Sequence, residues 1–239
     1  MSSSDIYKSK DWITEKAFIK KDDYKAMYEQ SISKPDEFWF EQGQRLDWFT
    51  PYTKVRDYSY EKDDLYIKWY EDGELNASYN CLDRHIEKNA DKIAVIWEGD
   101  DPSNSRKITY QELLTEVCKF SNGLKSLGVK KGDRVTIYMP MIPEAAIAML
   151  SCARIGAVHS VVFGGFSPEA LAGRLEDCDS KYIITADEGV RGGKTIPLKE
   201  NVDKAISKIE DFKKCVVVKR TGNAINWDSS IDHWYDDLV

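Results

Sequence analysis

Between Arg134 and Arg220 the sequence passes back and forth between short β-branched runs and helical patterns, joined by brief connections. The runs are "RVTIYM" (134–139), "AVHSVVFG" (157–164), "KYIITAD" (181–187) and "KCVVVKR" (214–220). An earlier run, "IAVIWEG" (93–99), reads the same way, so five strands are expected. Strands this apolar are buried on both faces, and a helix between each pair is the signature of parallel pairing. The expected fold class is therefore α/β, a mostly parallel sheet flanked by helices on both faces.

The helices carry their own start signals. Thr109 and Glu112 form a T-x-x-E capping box, and Leu113, Leu114, Val117, Phe120, Leu124 and Leu127 then recur on one face. "PEAAIAMLSCARIG" places Pro143 at a first helical position and is apolar nearly all round, which predicts deep burial. "SPEALAGRLEDC" has Ser167 as N-cap and Pro168 at the next position. A helix follows over "LKENVDKAISKIE".

Residues 1–78 differ in character, being rich in aromatic and charged residues without regular alternation. In "DEFWFEQGQRLDWF", Phe38, Trp39, Gln42, Arg45, Leu46 and Phe49 fall at roughly helical spacing. We expect an N-terminal helical and irregular extension over 1–78 that packs its aromatics on a larger body, the sheet domain occupying 79–239.

A net charge of −7 argues against nucleic-acid or anionic-membrane partners for the surface as a whole. It leaves room for a local basic pocket. "MSSSDIYKSK" has no apolar core of the kind a secretory signal needs, and no apolar run approaches the roughly 18 residues of a membrane helix. The five cysteines, Cys81, Cys118, Cys152, Cys178 and Cys215, form no C-x-x-C pair. A reduced, cytoplasmic protein without a zinc site is the expectation, with Cys118 and Cys152 as small buried thiols. His85, His159 and His233 have no acid–base or nucleophile partner that spacing can identify.

Ligands of parallel sheets gather beyond the carboxyl ends of the strands, which singles out two loops. In "FGGFSPEALAGR", Phe163, Gly164 and Gly165 follow a strand and precede a helix N-terminus. The two glycines permit either close approach of a ligand or simply a tight turn. The second loop, "ADEGVRGGKT" (186–195), resembles a Walker phosphate loop but is one residue short. Pro197 also keeps Ile196 out of the helical region, so no helix can start at the G-K-T. What remains is Arg191 and Lys194 beside Gly192 and Gly193, an anion site or a mobile solvated loop.

Taken together, "LNASYNCLDRH", "IWEGDDP" and the stretch from "ITYQELL" to "ADEGVRGGK" closely resemble the AMP-forming acetyl-coenzyme A synthetases. The likeness runs from about Ser33 to the C-terminus and includes "FWFEQGQRLDWFTPY", typical of acetyl- and propionyl-CoA synthetases. It implies a ligase of the adenylate-forming type. Acetate and Mg-ATP would give acetyl-adenylate and diphosphate, and coenzyme A would then displace AMP to give acetyl-CoA. It also implies that residues 79–239 are the first part of the large N-terminal domain of such an enzyme.

By the same resemblance, Arg191, Gly192, Gly193 and Lys194 lie on the loop that contacts the nucleotide end of coenzyme A, with Phe163, Gly164 and Gly165 beside it. The family often has arginine at position 194, so the lysine here keeps the charge but not the planar fork. No catalytic residue is assigned. The family's Ser/Thr/Gly-rich ATP loop ending in Gly-Lys-Pro-Lys-Gly and its C-terminal adenylation lysine do not occur among these residues. The chain therefore reads as the N-terminal portion of a longer synthetase, inactive alone and partnered by a C-terminal remainder. The rivals are a non-catalytic nucleotide-binding or coenzyme A-binding module and a propionyl-CoA synthetase. A nicotinamide-dependent Rossmann enzyme is disfavoured, because no G-x-G-x-x-G follows a strand.

Overall fold

The structure, a computed structural model, describes residues 9–239. The opening "MSSSDIYK", read above as lacking a signal core, lies outside the described residues. The chain divides into two compact units, the first ending at Glu74 and the second running from Leu75 to Val239.

The first unit holds helices α1 (Asp11–Lys16), α2 (Lys21–Ser33) and α3 (Pro35–Gly43), then a hairpin of β1 (Arg56–Glu61) and β2 (Asp64–Trp69). The sequence reading assigned no strand here, because Tyr58, Tyr60, Leu65 and Ile67 are interleaved with charges and stay exposed. Helix α3 stops at Gly43, short of the pattern expected to reach Phe49. Trp48 turns back instead, and its indole N–H donates to the Gly43 carbonyl at 2.8 Å. Several aromatics of this unit pack on one another: Trp48 on Tyr52 at 4.9 Å, Tyr52 on Tyr70 at 4.6 Å, and Trp39 on Trp69 at 5.6 Å between ring centres. Edge-to-face and tilted pairs of this kind add to burial through the ring quadrupoles.

The second unit opens with short helices α4 (Ala77–Cys81) and α5 (Asp83–Asn89) and the antiparallel hairpin β3 (Ile93–Glu98) and β4 (Ser105–Thr109). Helix α6 (Tyr110–Ser126) follows, with Thr109 as N-cap accepting from the Glu112 amide in the expected capping box. Then come β5 (Arg134–Met139), α7 (Pro143–Ile155), β6 (Val158–Phe163), α8 (Pro168–Asp177) and β7 (Tyr182–Ala186). A second hairpin, β8 (Gly189–Arg191) and β9 (Lys194–Ile196), precedes α9 (Leu198–Ile206), β10 (Lys214–Val218) and β11 (Asp232–Trp234). A single 3₁₀ turn, Tyr235–Asp237, ends the assigned elements.

Five strands form one parallel sheet in the order β11-β10-β7-β5-β6. Four are those expected. The fifth is not: residues 93–98 pair antiparallel with 105–109 outside the sheet, and the place is taken by the short β11. Length and apolar content alone could not distinguish a hairpin strand from a sheet strand. The hairpin's partner, "SRKIT", is mostly polar and gave no signal of its own.

The strand order also places the helices. From β5 to β6 the chain steps one way along the sheet, and from β6 to β7 to β10 it steps the other way. Since parallel crossovers are right-handed, α7 must cover one face and α8 and α9 the opposite face. Consistently, α6 packs with α7, and α8 packs with α9. The core between these layers includes Phe120, Ile137, Ile147, Leu171, Ile183, Val202 and Val217, all at or near full burial. Cys152 is fully buried, whereas Cys118 is only half-buried, because α7 faces the sheet more directly than that position of α6. Similarly, α7 is buried along Ile147, Ala148, Ser151 and Cys152 but not all round.

Candidate ligand-binding site

The reversal of step direction leaves β5 with neighbours whose outgoing loops run to the opposite face of the sheet. That is the topological switch point at which α/β sheets form a crevice beyond their carboxyl ends. A cavity of about 320 Å³ lies there. Its walls come from Met139 to Ile142 after β5, Phe163 to Gly165 after β6, Gly189 to Arg191 on β8, and Arg220 beyond β10. The β3–β4 hairpin contributes Trp97, Glu98, Gly99 and Asp100. The lining is largely apolar with a few charged groups, as a small-molecule site requires.

Each wall is pinned from beneath. Tyr138 is buried in the sheet, and its hydroxyl donates to the Phe166 carbonyl at 2.7 Å with the Gly164 carbonyl at 3.2 Å. Burial raises the pKa of this phenol, so it remains a neutral donor. The Ser167 hydroxyl accepts from the Ala170 amide at 3.3 Å and starts α8, with Pro168 in its first turn as expected. A Cβ on Gly165 would lie 2.6 Å from the Phe163 ring, so a side chain there would displace that half-exposed ring.

The "ADEGVRGGKT" stretch departs from a flexible loop. It is a hairpin in which Arg191 pairs with Lys194 across a two-residue turn. Gly192 and Gly193 form the turn with φ of +57° and +72°, the left-handed region in which glycine is unstrained. Helix α9 begins after Pro197, as its proline dictates, so no helix N-terminus meets the G-K-T.

Of the seven expected site residues, Arg191, Phe163, Gly164 and Gly165 line the common cavity. The Arg191 guanidinium carbon lies 5.3 Å from the Phe163 ring centre. Gly192, Gly193 and Lys194 are exposed at the hairpin tip and do not line it. Arg174, on α8, sits 4.9 Å from the Phe166 ring centre and does not line the cavity. The histidines are apart from the cavity: His85 packs on Tyr110, His159 lies exposed on β6, and His233 lies on β11.

Sequence reasoning missed Trp97 and Arg220. The Arg220 guanidinium carbon stands 5.3 Å from the Trp97 ring centre, and the Trp97 indole donates to the Met141 carbonyl at 2.7 Å. Arg220 was the last residue of a recognised strand run, so the carboxyl-end rule applied to it equally. Trp97 had no such signal, because its strand lies outside the sheet.

Among the described residues, no three His, Cys, Asp or Glu side chains converge to hold a metal. Nor is any helix among them long and apolar enough to cross a membrane.

Comparisons with known proteins bear on this geometry. A family profile described as AMP-binding enzyme matches residues 82–237, and one described as acetyl-coenzyme A synthetase N-terminus matches residues 24–81. An acetyl-coenzyme A synthetase of Parvibaculum lavamentivorans is 61% identical over 92% of this chain and 34% of its own length. Those of Shewanella halifaxensis and Aeromonas hydrophila are 56% and 57% identical over 100% of this chain and 37% of theirs. The chain thus spans about a third of the length of these relatives. The solved acetoacetyl-CoA synthetase from Streptomyces lividans superposes with a TM-score of 0.79 at 22% identity, covering 95% of this chain and 34% of that one, a likeness of fold.

Proposed function

The chain belongs to the AMP-binding enzyme family, and from that premise we propose that it builds the coenzyme A-recognising part of an acetate–CoA ligase. The whole enzyme would join acetate to ATP as acetyl-adenylate with release of diphosphate. The thiol of coenzyme A would then attack the acyl carbon, forming the thioester as the acyl–phosphate bond breaks and AMP leaves. Adenylation converts a carboxylate oxygen, a poor leaving group, into part of a good one.

The observation that carries this reading is the position of Arg191, over the Phe163 ring at the mouth of a cavity at the switch point. A cation–π contact leaves the guanidinium charged, with N–H donors for a phosphate. Gly164 and Gly165 leave the cavity floor open beside it. Lys194, at the hairpin tip, supplies a second positive charge to an approaching nucleotide. Gly192 and Gly193 set the turn that holds both.

Residues 1–78 are proposed as the N-terminal extension of such enzymes and 79–239 as the first part of the adenylate-forming domain, completed by a C-terminal remainder. ATP would bind with Mg²⁺, for which the described residues offer no ligand cluster, so no step here runs through the ion. A cytoplasmic setting fits the five free thiols. We assign no catalytic residue to this chain, because neither the ATP loop nor the adenylation lysine occurs in it.

Isothermal calorimetry tests the assignment. Coenzyme A should bind the chain weakly, and Arg191→Ala should reduce the affinity about tenfold or more, the size of a charge-assisted hydrogen bond. Unchanged binding would remove Arg191 from the site. Diphosphate release from acetate and ATP by the chain alone, at a rate near that of a complete enzyme, would contradict its proposed inactivity.

A further inference from the structure

We infer that Arg220, seated on Trp97, is a second phosphate-gripping group of the same cavity, working with Arg191. The inference rests on the proposed reading of the cavity as a coenzyme A site, but its evidence is separate.

Arg220 lies just beyond β10, two strands away from β5, and reaches over the indole of Trp97. The indole itself is held by its bond to the Met141 carbonyl. The chain around Arg220 is fixed by Asp187, a buried carboxylate. Asp187 accepts the backbone N–H groups of Arg220 at 2.8 Å and Gly222 at 2.7 Å, and that of Thr221 at 3.2 Å. It also accepts from the Glu188 amide at 2.6 Å. The carboxylate is thus occupied by backbone donors and does not neutralise the Arg220 guanidinium.

Among the described residues neither Arg191 nor Arg220 is ion-paired. Both guanidiniums instead lie over an aromatic ring, each 5.3 Å from its centre, and line one cavity. A cation–π contact of this kind does not neutralise the charge, and a guanidinium's N–H donors match phosphate oxygens bidentately. Glu98 and Asp100 on the hairpin rim oppose any bound anion, so holding one there calls for the combined charge of both arginines. Coenzyme A offers two such groups, its diphosphate and its 3′-phosphate. The shared chemistry is a phosphate oxygen cluster.

The test is calorimetry of the full chain with coenzyme A, 3′-dephospho-coenzyme A and inorganic diphosphate. Arg220→Ala should weaken coenzyme A about tenfold, with Arg220→Lys intermediate and the unfolding midpoint unchanged. If the loss vanishes with the 3′-dephospho compound, the 3′-phosphate is the group held. If it persists there, the diphosphate is. Arg220→Ala binding coenzyme A like wild type, while Arg191→Ala does not, overturns the inference and leaves the coenzyme A reading standing. Should the wild-type chain bind no coenzyme A, that reading fails. Inorganic diphosphate then decides: binding that Arg220→Ala abolishes sustains the anion site, and no binding, or binding indifferent to the substitution, overturns it.

Discussion

The guanidinium of Arg191 lies 5.3 Å from the centre of the Phe163 ring, which joins a hairpin after β7 to the end of the edge strand β6. The two residues stand 28 apart in sequence but on neighbouring walls of one cavity. Phe163 is 54% exposed, so little core stability depends on it. Phe163→Ala should therefore leave the thermal midpoint nearly unchanged while weakening coenzyme A about threefold, as the arginine loses its cation–π contact. A large drop in midpoint would instead make the ring a structural element.

The hairpin turn can be tested through its backbone. Nothing lies within 4 Å of a Cβ built on Gly192 or Gly193, so substitution there strains the chain through φ alone. Asn tolerates the left-handed region and precedes glycine well in such turns, whereas a β-branched residue does not. Gly192→Asn should behave like wild type in coenzyme A titration. Gly193→Val should cost about 1–2 kcal/mol locally and loosen binding by displacing Arg191. Identical titrations for the two variants would show that the turn does not position the arginine.

Arg154 meets Asp83 with two bonds of 2.8 Å, tying α7 to α5. The Arg154 hydrogen bonds hold the Asp83 carboxyl below its usual range against the opposing effect of burial. A folded-state pKa depressed in this way stabilises the protein above the unfolded value of about 3.9 and is lost as pH falls through the folded value. Arg154→Met should cost about 1–2 kcal/mol at neutral pH, with the deficit shrinking as pH falls below the ordinary carboxylate range. Urea unfolding at several pH values checks this, and a deficit independent of pH would point to packing alone.

Lys199 is 2% exposed and bridges Asp203 at 2.6 Å and Asp232 at 2.9 Å, tying α9 to β11. Burial opposes its charge, yet the hydrogen bonds to both carboxylates prevail and its pKa is raised. Removing the ammonium leaves the buried Asp232 carboxylate and the half-buried Asp203 carboxylate without a cation. Lys199→Met should cost about 3–5 kcal/mol, and adding Asp203→Asn with Asp232→Asn should recover much of it. Chemical denaturation of the single and triple variants measures both. No recovery in the triple variant would locate the loss in packing rather than charge.

Local signals settled much of this protein. The capping box at Thr109 and Glu112, the Ser167-Pro168 start of α8 and the proline bar at Pro197 each act within one turn of chain, so the sequence alone predicts them. β-branched runs long enough to span a buried sheet identified β5, β6, β7 and β10 for the same reason. In β5, β7 and β10 burial on both faces leaves little choice of residue, whereas β6, at the sheet edge, leaves Val158 and Val161 exposed against the expectation. The carboxyl-end rule then pointed to Phe163, Gly164, Gly165 and Arg191.

Tertiary structure decided the rest. Whether residues 93–98 joined the sheet depended on a distant competitor, β11, whose three residues carry too little pattern to be seen. Which strand lies beside which fixed the switch point, and with it the cavity. The contact of Arg220 with Trp97 joins residues 123 apart through a hairpin outside the sheet and a loop held by Asp187. No periodicity records such a meeting, because it arises from packing of whole elements rather than from local propensity.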